Sequence, residues 1–281
     1  MTVIFHPDTA AQAMSTVTSS MTRLRPLHYR AIFISDVHLG FSGCSADYLL
    51  DFLRSTTCDT LYLIGDIVDI WQMKKKLFWP QAHNDVVRTI LGKAKHGTRV
   101  IYVPGNHDEL LRDFDATALG NLEIHKEYIH TAKNGKRFLI LHGDEFDNVV
   151  KCSRVIALIG SSLYEFLLHL NQLVNFVRRK LGFSYWSLAG ELKHKVKQAV
   201  SYISNFEAAL AHEAQQHGVD GLVCGHIHRA EITTINDIIY CNCGDWVESC
   251  TALVERNDGN MELIHWTDAR ETVKTLALEA A

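Results

Sequence analysis

What the chain lacks narrows its function first. It has no Cys-x-x-Cys pair: the seven cysteines are scattered, and Cys241 and Cys243 stand a single residue apart. That spacing does not match zinc ribbons or dithiol redox motifs, and an odd, dispersed set of thiols fits reduced, buried cysteines in a cytoplasmic protein. Positive charge is also in short supply. With 28 basic against 32 acidic residues the net charge is -4, so no nucleic-acid partner is expected, because phosphate-backbone binding needs concentrated cations. The N-terminus lacks the uninterrupted apolar core of a secretory signal, and residues 1–28 read as a flexible leader. No internal repeat or low-complexity linker divides the remainder. Residues 29–281 therefore read as one domain, and a composition 47% hydrophobic is enough for a sizeable core.

What is present is an alternation of short apolar runs and helical patterns. "AIFIS" (31–35), "LYLIG" (61–65), "RVIYV" (99–103), "FLILH" (138–142) and "GLVCG" (221–225) are continuous apolar runs of strand length. Runs of this kind suit strands covered on both faces. Between the early ones, 46–54 and 84–95 carry apolar residues at helical spacing, so the chain is α/β and built from β-α-β units. After residue 228, "AEITTI", "DIIYCN", "TALVE" and "MELIHW" read as shorter strands of a second, more antiparallel sheet.

One segment breaks the alternation. From 155 to 177 the only charged residue is Glu165, which raises the question of a membrane span. Ser161, Glu165, His169, Gln172 and Asn175 recur at three- and four-residue steps, however, so the pattern is that of an amphipathic helix. A helical insertion at about 150–214 is expected, containing the basic cluster Arg178, Arg179 and Lys180.

The chemistry falls at strand ends. The five apolar runs lead into Asp36-Val37-His38, Gly65-Asp66, Gly105-Asn106-His107-Asp108, His142-Gly143-Asp144 and Gly225-His226-Ile227-His228. Loops beyond the carboxyl ends of strands in α/β sheets line one crevice, so these clusters can converge. Oxygen and nitrogen donors without thiolate suit manganese, iron or zinc. Two such ions about 3.5 to 4 Å apart are the usual arrangement for in-line displacement at phosphorus.

In their order, "DVH", "GDIVD", "GNHD", "HGD" and "GHIH" resemble the five blocks of the calcineurin-like metallophosphoesterases, over about residues 31–250. The resemblance implies a four-layer αββα sandwich of two mixed sheets with flanking helices and an inserted helical hairpin cap. It also implies a dinuclear metal centre with a bridging hydroxide. By motif, Asp36, His38, Asp66 and His228 would hold one ion, and Asp66, Asn106, His142 and His226 the other. Mn2+ is the first expectation for both ions, with Fe or Zn as alternatives. His107 would act as an acid toward the leaving oxygen or bind a phosphoryl oxygen, with Asp108 orienting it. Asp69 and Asp144 read as supporting or loop-capping groups outside the ligand set, the lysines at 74–76 as a solvated run with attraction of an anionic substrate as the alternative, and Trp71 and Trp246 as packing residues.

"GDIVDIW", "GHIHRAEI" and the helical insertion look most like the UDP-2,3-diacylglucosamine pyrophosphatases of lipid A synthesis. That subfamily implies a nucleotide-lipid substrate, with Arg178, Arg179 and Lys180 near its anionic part and peripheral contact with the inner face of the membrane through the insertion. One departure points elsewhere. Those enzymes typically carry arginine where this chain has His107, which keeps a phosphomonoesterase or cyclic-nucleotide phosphodiesterase as the alternative. A non-catalytic protein-binding scaffold is the third reading.

Overall fold

Strands β1 (Leu27–Ile34), β2 (Thr56–Ile64) and β3 (Arg99–Val103) lie side by side and parallel at the centre of a seven-stranded sheet. Their apolar runs are continuous because each face has its own partner. Ile32 and Ile34 pack with Leu49, Phe52 and Leu53 of α1 (Ala46–Ser55) and with Val86 and Ile90 of α3 (Gln81–Lys95). Ala31 and Phe33, on the opposite face, pack with Phe138, Ile140 and Val223 of a second sheet. The structure is a computed structural model and describes residues 26–148 and 188–268.

The second sheet has five strands in the order β6 (Tyr128–Thr131), β7 (Arg137–Ile140), β8 (Gly221–Cys224), β10 (Ile238–Asn242) and β9 (Glu231–Ile235). Its outer face buries Leu139, Leu222 and Tyr240 against Phe206, Leu210, Ala211 and Ala214 of the long helix α4 (Leu188–Gln216). Three apolar interfaces thus separate four layers, helix, sheet, sheet and helix, as expected for the αββα sandwich. The six described cysteines are all free; Cys224, Cys241 and Cys243 are buried among apolar neighbours.

The C-terminal strands depart from the sequence expectation. They do not form one sheet: β9 and β10 join β8, while β11 (Thr251–Glu255) pairs antiparallel with β1 and is flanked by β12 (Met261–His265). The chain crosses between sheets after Asn242, and each sheet gains an antiparallel edge. Two short strands, β4 (Thr117–Leu119) and β5 (Leu122–Ile124), complete the first sheet.

Of the expected 1–28 leader, Leu27 and His28 belong to β1; residues 1–25 and 149–187, with the 155–177 stripe and Arg178, Arg179 and Lys180, lie outside the described residues. No helix among the described residues is long and apolar enough to cross a membrane.

Candidate metal centre

All five motif loops meet where the carboxyl ends of β1, β2 and β3 face those of β7 and β8. Their backbone is bent hard. Asp36, His38, Asp66, His226 and His228 have φ of 50°, 55°, 53°, 71° and 54°, a left-handed conformation that non-glycine residues rarely adopt. Each such residue costs on the order of 1 kcal/mol, a cost concentrated at functional sites and tolerated only where neighbours enforce the conformation. Here hydrogen bonds between loops enforce it. The amides of Asp36 and His38 donate to the carbonyls of Gly65 and Asp66 (3.1 and 2.8 Å), and Trp246 N donates to Asp36 O (3.0 Å). His226 N donates to Asp36 Oδ2 (2.9 Å), and His107 N to Asp66 Oδ1 (2.8 Å). Gly105 is required by close approach, since a Cβ there would run into Asp66 Oδ1 and the His142 ring.

The side chains form two adjoining clusters with a third group overlapping both. Asp36, His38 and His228 present donor atoms close enough to share an ion, and so do Asp66, His142 and His226; His38, Asp66 and His107 do likewise across the boundary. Asp66 lies between them: its Oδ2 is 3.5 Å from His142 Nε2, 3.9 Å from His38 Nε2 and 3.8 Å from His107 Nε2. His38 Nε2, His142 Nε2 and both polar atoms of the Asn106 amide are buried without a hydrogen bond. Buried polar atoms in proteins normally have partners. Three of these, His38 Nε2, His142 Nε2 and Asn106 Oδ1, can offer a lone pair, which fits a cation as the missing partner; the Asn106 amide nitrogen is a donor and is not satisfied that way. His226 is already engaged, with Nε2 2.7 Å from Asp147 Oδ1.

Charge in the cluster fits a cation as well. Burial disfavours the ionised forms, yet the histidines beside Asp36 hold its carboxyl well below the usual range, and His142 holds Asp66 at about 2. Burial likewise works against protonation of His142 and His228, but Asp66 raises His142 to about 10 and Asp36 raises His228 to about 9. In metal-free protein, protons on these imidazoles occupy the electrostatic place of cations. Because both values lie above 7, metal uptake at neutral pH should release about two protons per chain, measurable with an indicator dye in weak buffer. Release close to zero would contradict this charge assignment. The sign for stability follows. The histidine contribution is complete below their ordinary value of 6.5 and is lost as pH rises through about 9 and 10. That of Asp66 is present above 3.8 and lost as pH falls toward about 2.

Beside the two clusters stands His107. Its Nδ1 is 2.9 Å from Asp69 Oδ1, and its ring lies 4.5 Å, centre to centre, from the half-exposed indole of Trp71. Asp69 also meets His38 Nδ1 through Oδ2 (3.1 Å), and its Oδ1 accepts from Gln72 N (2.8 Å), capping α2 (Ile70–Lys75). Burial opposes ionisation of Asp69, but the bonds from His107, His38 and the Gln72 amide hold its carboxyl well below the usual range. A carboxylate at Nδ1 fixes the proton there and turns Nε2 inward on both rings.

The expected pairing of His107 with Asp108 is thereby corrected. Asp108 is fully buried and accepts from the amides of Asp66, Ile67, Val68 and Gly105 and from the Tyr102 hydroxyl, the shortest bonds being 2.5 Å to Tyr102 and 2.6 Å to Gly105. It fastens the Asp66 loop to the Gly105 loop, and the carboxylate at His107 Nδ1 is that of Asp69. Adjacency in sequence suggested Asp108; the available signal for Asp69 was its position just before a helix, where aspartate serves as a cap. Asp147 carried no sequence signal. Asp108→Ala should strand several buried donors and cost roughly 3 to 5 kcal/mol of stability, read as a lower denaturant midpoint. An unchanged midpoint would contradict the fastening role.

Asp144 binds Arg112 (2.6 Å), whose guanidinium also donates to Pro104 O. Trp246 is buried in the core, while Trp71 is at the rim.

Comparison with known proteins decides the family. A model of the calcineurin-like phosphoesterases matches residues 29–230. The chain belongs to the calcineurin-like phosphoesterases. As a member it is a hydrolase of phosphoester bonds. Among named relatives, this phosphoesterase is similar to a UDP-2,3-diacylglucosamine hydrolase of Neisseria meningitidis serogroup B, 28% identical over 82% of this chain and 95% of that protein. It is similar to another of the same name from Psychromonas ingrahamii, 26% identical over 71% of this chain and 81% of that one. Among solved structures, a phosphoesterase from E. coli aligns over 84% of this chain and 98% of its own length, with 16% identity and a TM-score of 0.38.

Proposed function

We propose that the protein is a metal-dependent hydrolase of phosphoester or pyrophosphate bonds, with a dinuclear centre shared at Asp66, and that its substrate is a nucleotide lipid resembling UDP-2,3-diacylglucosamine. The observation that carries the reaction is the pair of adjoining donor clusters with Asp66 between them. Asp36, His38, Asp66 and His228 would hold one ion, and Asp66, Asn106, His142 and His226 the other. Their oxygen and nitrogen donors accept manganese, iron or zinc, with Mn2+ the first expectation. When bound, two such ions supply Lewis acidity toward phosphoryl oxygens and a water acidic enough to serve as nucleophile near neutral pH.

The chain's own residues would do the rest. His226 would turn from Asp147 to take up its ligand role. Asn106 would offer its amide oxygen inward, and His107, with Nδ1 held by Asp69, would face the leaving oxygen through Nε2 and protonate it or hydrogen-bond a phosphoryl oxygen. Two relatives bearing the name UDP-2,3-diacylglucosamine hydrolase support the substrate, and a cytoplasmic protein touching the inner face of the membrane would meet it there. Arg178, Arg179 and Lys180 are proposed to approach its anionic part. A second reading rests on His107 itself: an imidazole where arginine is usual in the lipid A enzymes favours a phosphomonoesterase or cyclic-nucleotide phosphodiesterase.

Hydrolysis of a panel with Mn2+ separates the readings: UDP-2,3-diacylglucosamine, a dinucleotide pyrophosphate, a cyclic nucleotide and a monoester. Preferred cleavage of the lipid nucleotide is expected. If it were inert while another member turned over, the substrate would be reassigned. No hydrolysis of any member and no bound metal would leave the scaffold reading.

A further inference from the structure

One surface near the candidate centre runs against the character of the whole chain. The protein is net acidic, yet residues 71–79, "WQMKKKLFW", contain three lysines and no acid. Lys74, Lys75 and Lys76 are exposed at the end of α2. Around them, Trp71, Leu77, Phe78 and Trp79 keep 38%, 72%, 37% and 37% of their surface in water. Exposed apolar residues scattered singly need no explanation, but a consecutive Leu-Phe-Trp beside a lysine triplet does.

The segment is held in this outward pose. Phe78 and Trp79 each rest edge-on against the buried His83, with ring centres 5.6 Å apart in both cases. His83 Nδ1 accepts from Gly40 N (3.0 Å), two residues beyond His38. Met73 of α2 packs so closely on Gly40 that a Cβ there would collide with it. At its other end the segment contacts the site directly: Ile70 N donates to His107 O (3.2 Å), and the Trp71 ring covers His107. The patch is thus fixed relative to the residue that faces the leaving group.

We propose that residues 71–79 form a docking surface for an anionic lipid bilayer, with Leu77, Phe78 and Trp79 entering the headgroup region and the three lysines meeting lipid phosphates. Aromatic and aliphatic side chains beside clustered lysines form the chemistry that suits a membrane interface, where ring and chain leave water while the ammonium groups stay in it. Opposite charge selects the leaflet: each lysine near an anionic surface raises binding roughly fivefold, so three together give on the order of a hundredfold. The surface would bring the centre to the plane in which a lipid-linked phosphoester lies. In that purpose it rests on the nucleotide-lipid reading; its test does not.

The test is sedimentation of the full chain with vesicles of phosphatidylcholine alone or mixed with phosphatidylglycerol. Binding only to the anionic vesicles is expected, weakening with salt. The triple variant Lys74→Gln, Lys75→Gln, Lys76→Gln should bind roughly a hundredfold more weakly, and Leu77→Ser roughly tenfold more weakly. Both should hydrolyse soluble bis(p-nitrophenyl) phosphate at the wild-type rate, which shows that they are folded. Wild-type affinity in both variants, equal binding to neutral vesicles, no vesicle binding, or displacement by single-stranded RNA at lower concentration than by anionic lipid would each overturn the proposal. The two readings fail separately. Charge-dependent docking with an inert lipid nucleotide removes the substrate assignment alone, whereas hydrolysis of detergent-dispersed lipid nucleotide without vesicle binding removes the docking surface alone.

Discussion

Asp66→Asn should leave the protein folded, reduce its tightly held divalent ions below two per chain, and lower turnover on the order of a thousandfold or more. The reason lies in the position of one oxygen. Asp66 Oδ2 faces His142, His38 and His107 at 3.5, 3.9 and 3.8 Å, so the carboxylate serves both donor clusters and the approach to His107. An amide keeps the size and can still accept the His107 amide hydrogen through Oδ1, which preserves the loop contact at 2.8 Å. It loses the negative charge and presents a donor where a cation belongs. His142, raised to about 10 chiefly by Asp66 against the effect of burial, should then titrate lower, and metal uptake should release fewer protons. Metal analysis after dialysis, together with steady-state rates, checks the prediction. Two retained ions with near-normal turnover would remove Asp66 from the shared position.

His107→Gln should do the reverse: keep the metal and lose the rate. General acid catalysis contributes typically about 10²- to 10⁴-fold, and that range is expected for a leaving group of high pKa such as an alkoxide. For p-nitrophenolate, which departs without a proton, the loss should be much smaller. Comparing the two leaving groups separates the roles left open for this residue. An equal loss on both would mean that His107 binds a phosphoryl oxygen instead of protonating the leaving group. Loss of an ion would place it among the ligands, since His38, Asp66 and His107 also lie close enough to share one. Asp69→Asn should reproduce part of the defect without touching substrate, because its amide keeps one acceptor oxygen and can no longer hold the Nδ1 atoms of both His107 and His38.

What could be read in the sequence was local. The runs before Asp36, Asp66, Asn106, His142 and His226 announce strands because a segment buried on both faces carries apolar residues without alternation. The polar clusters at their ends follow in the same stretch of chain, so the seven candidate ligands needed no knowledge of pairing. The partition of the last four strands between two sheets did need it. "DIIYCN" and "TALVE" look alike in sequence, yet one pairs with β8 and the other with β1, and that choice depends on which neighbour is already in place. The same limit explains Asp108. It stands next to His107 in sequence, but its carboxylate is taken up by amides of the Asp66 loop, while Asp69 arrives at His107 from that loop. Adjacency along a chain is a weak guide where the backbone turns sharply.

The central claim is that two ions share one aspartate at the meeting point of five loops. Electron paramagnetic resonance of the protein loaded with Mn2+ tests it most directly, because ions joined through a common ligand are spin-coupled and separate ions are not. The account predicts a coupled pair in the wild-type protein and its loss in Asp66→Asn. An uncoupled, single-ion spectrum from fully loaded wild-type protein would contradict it.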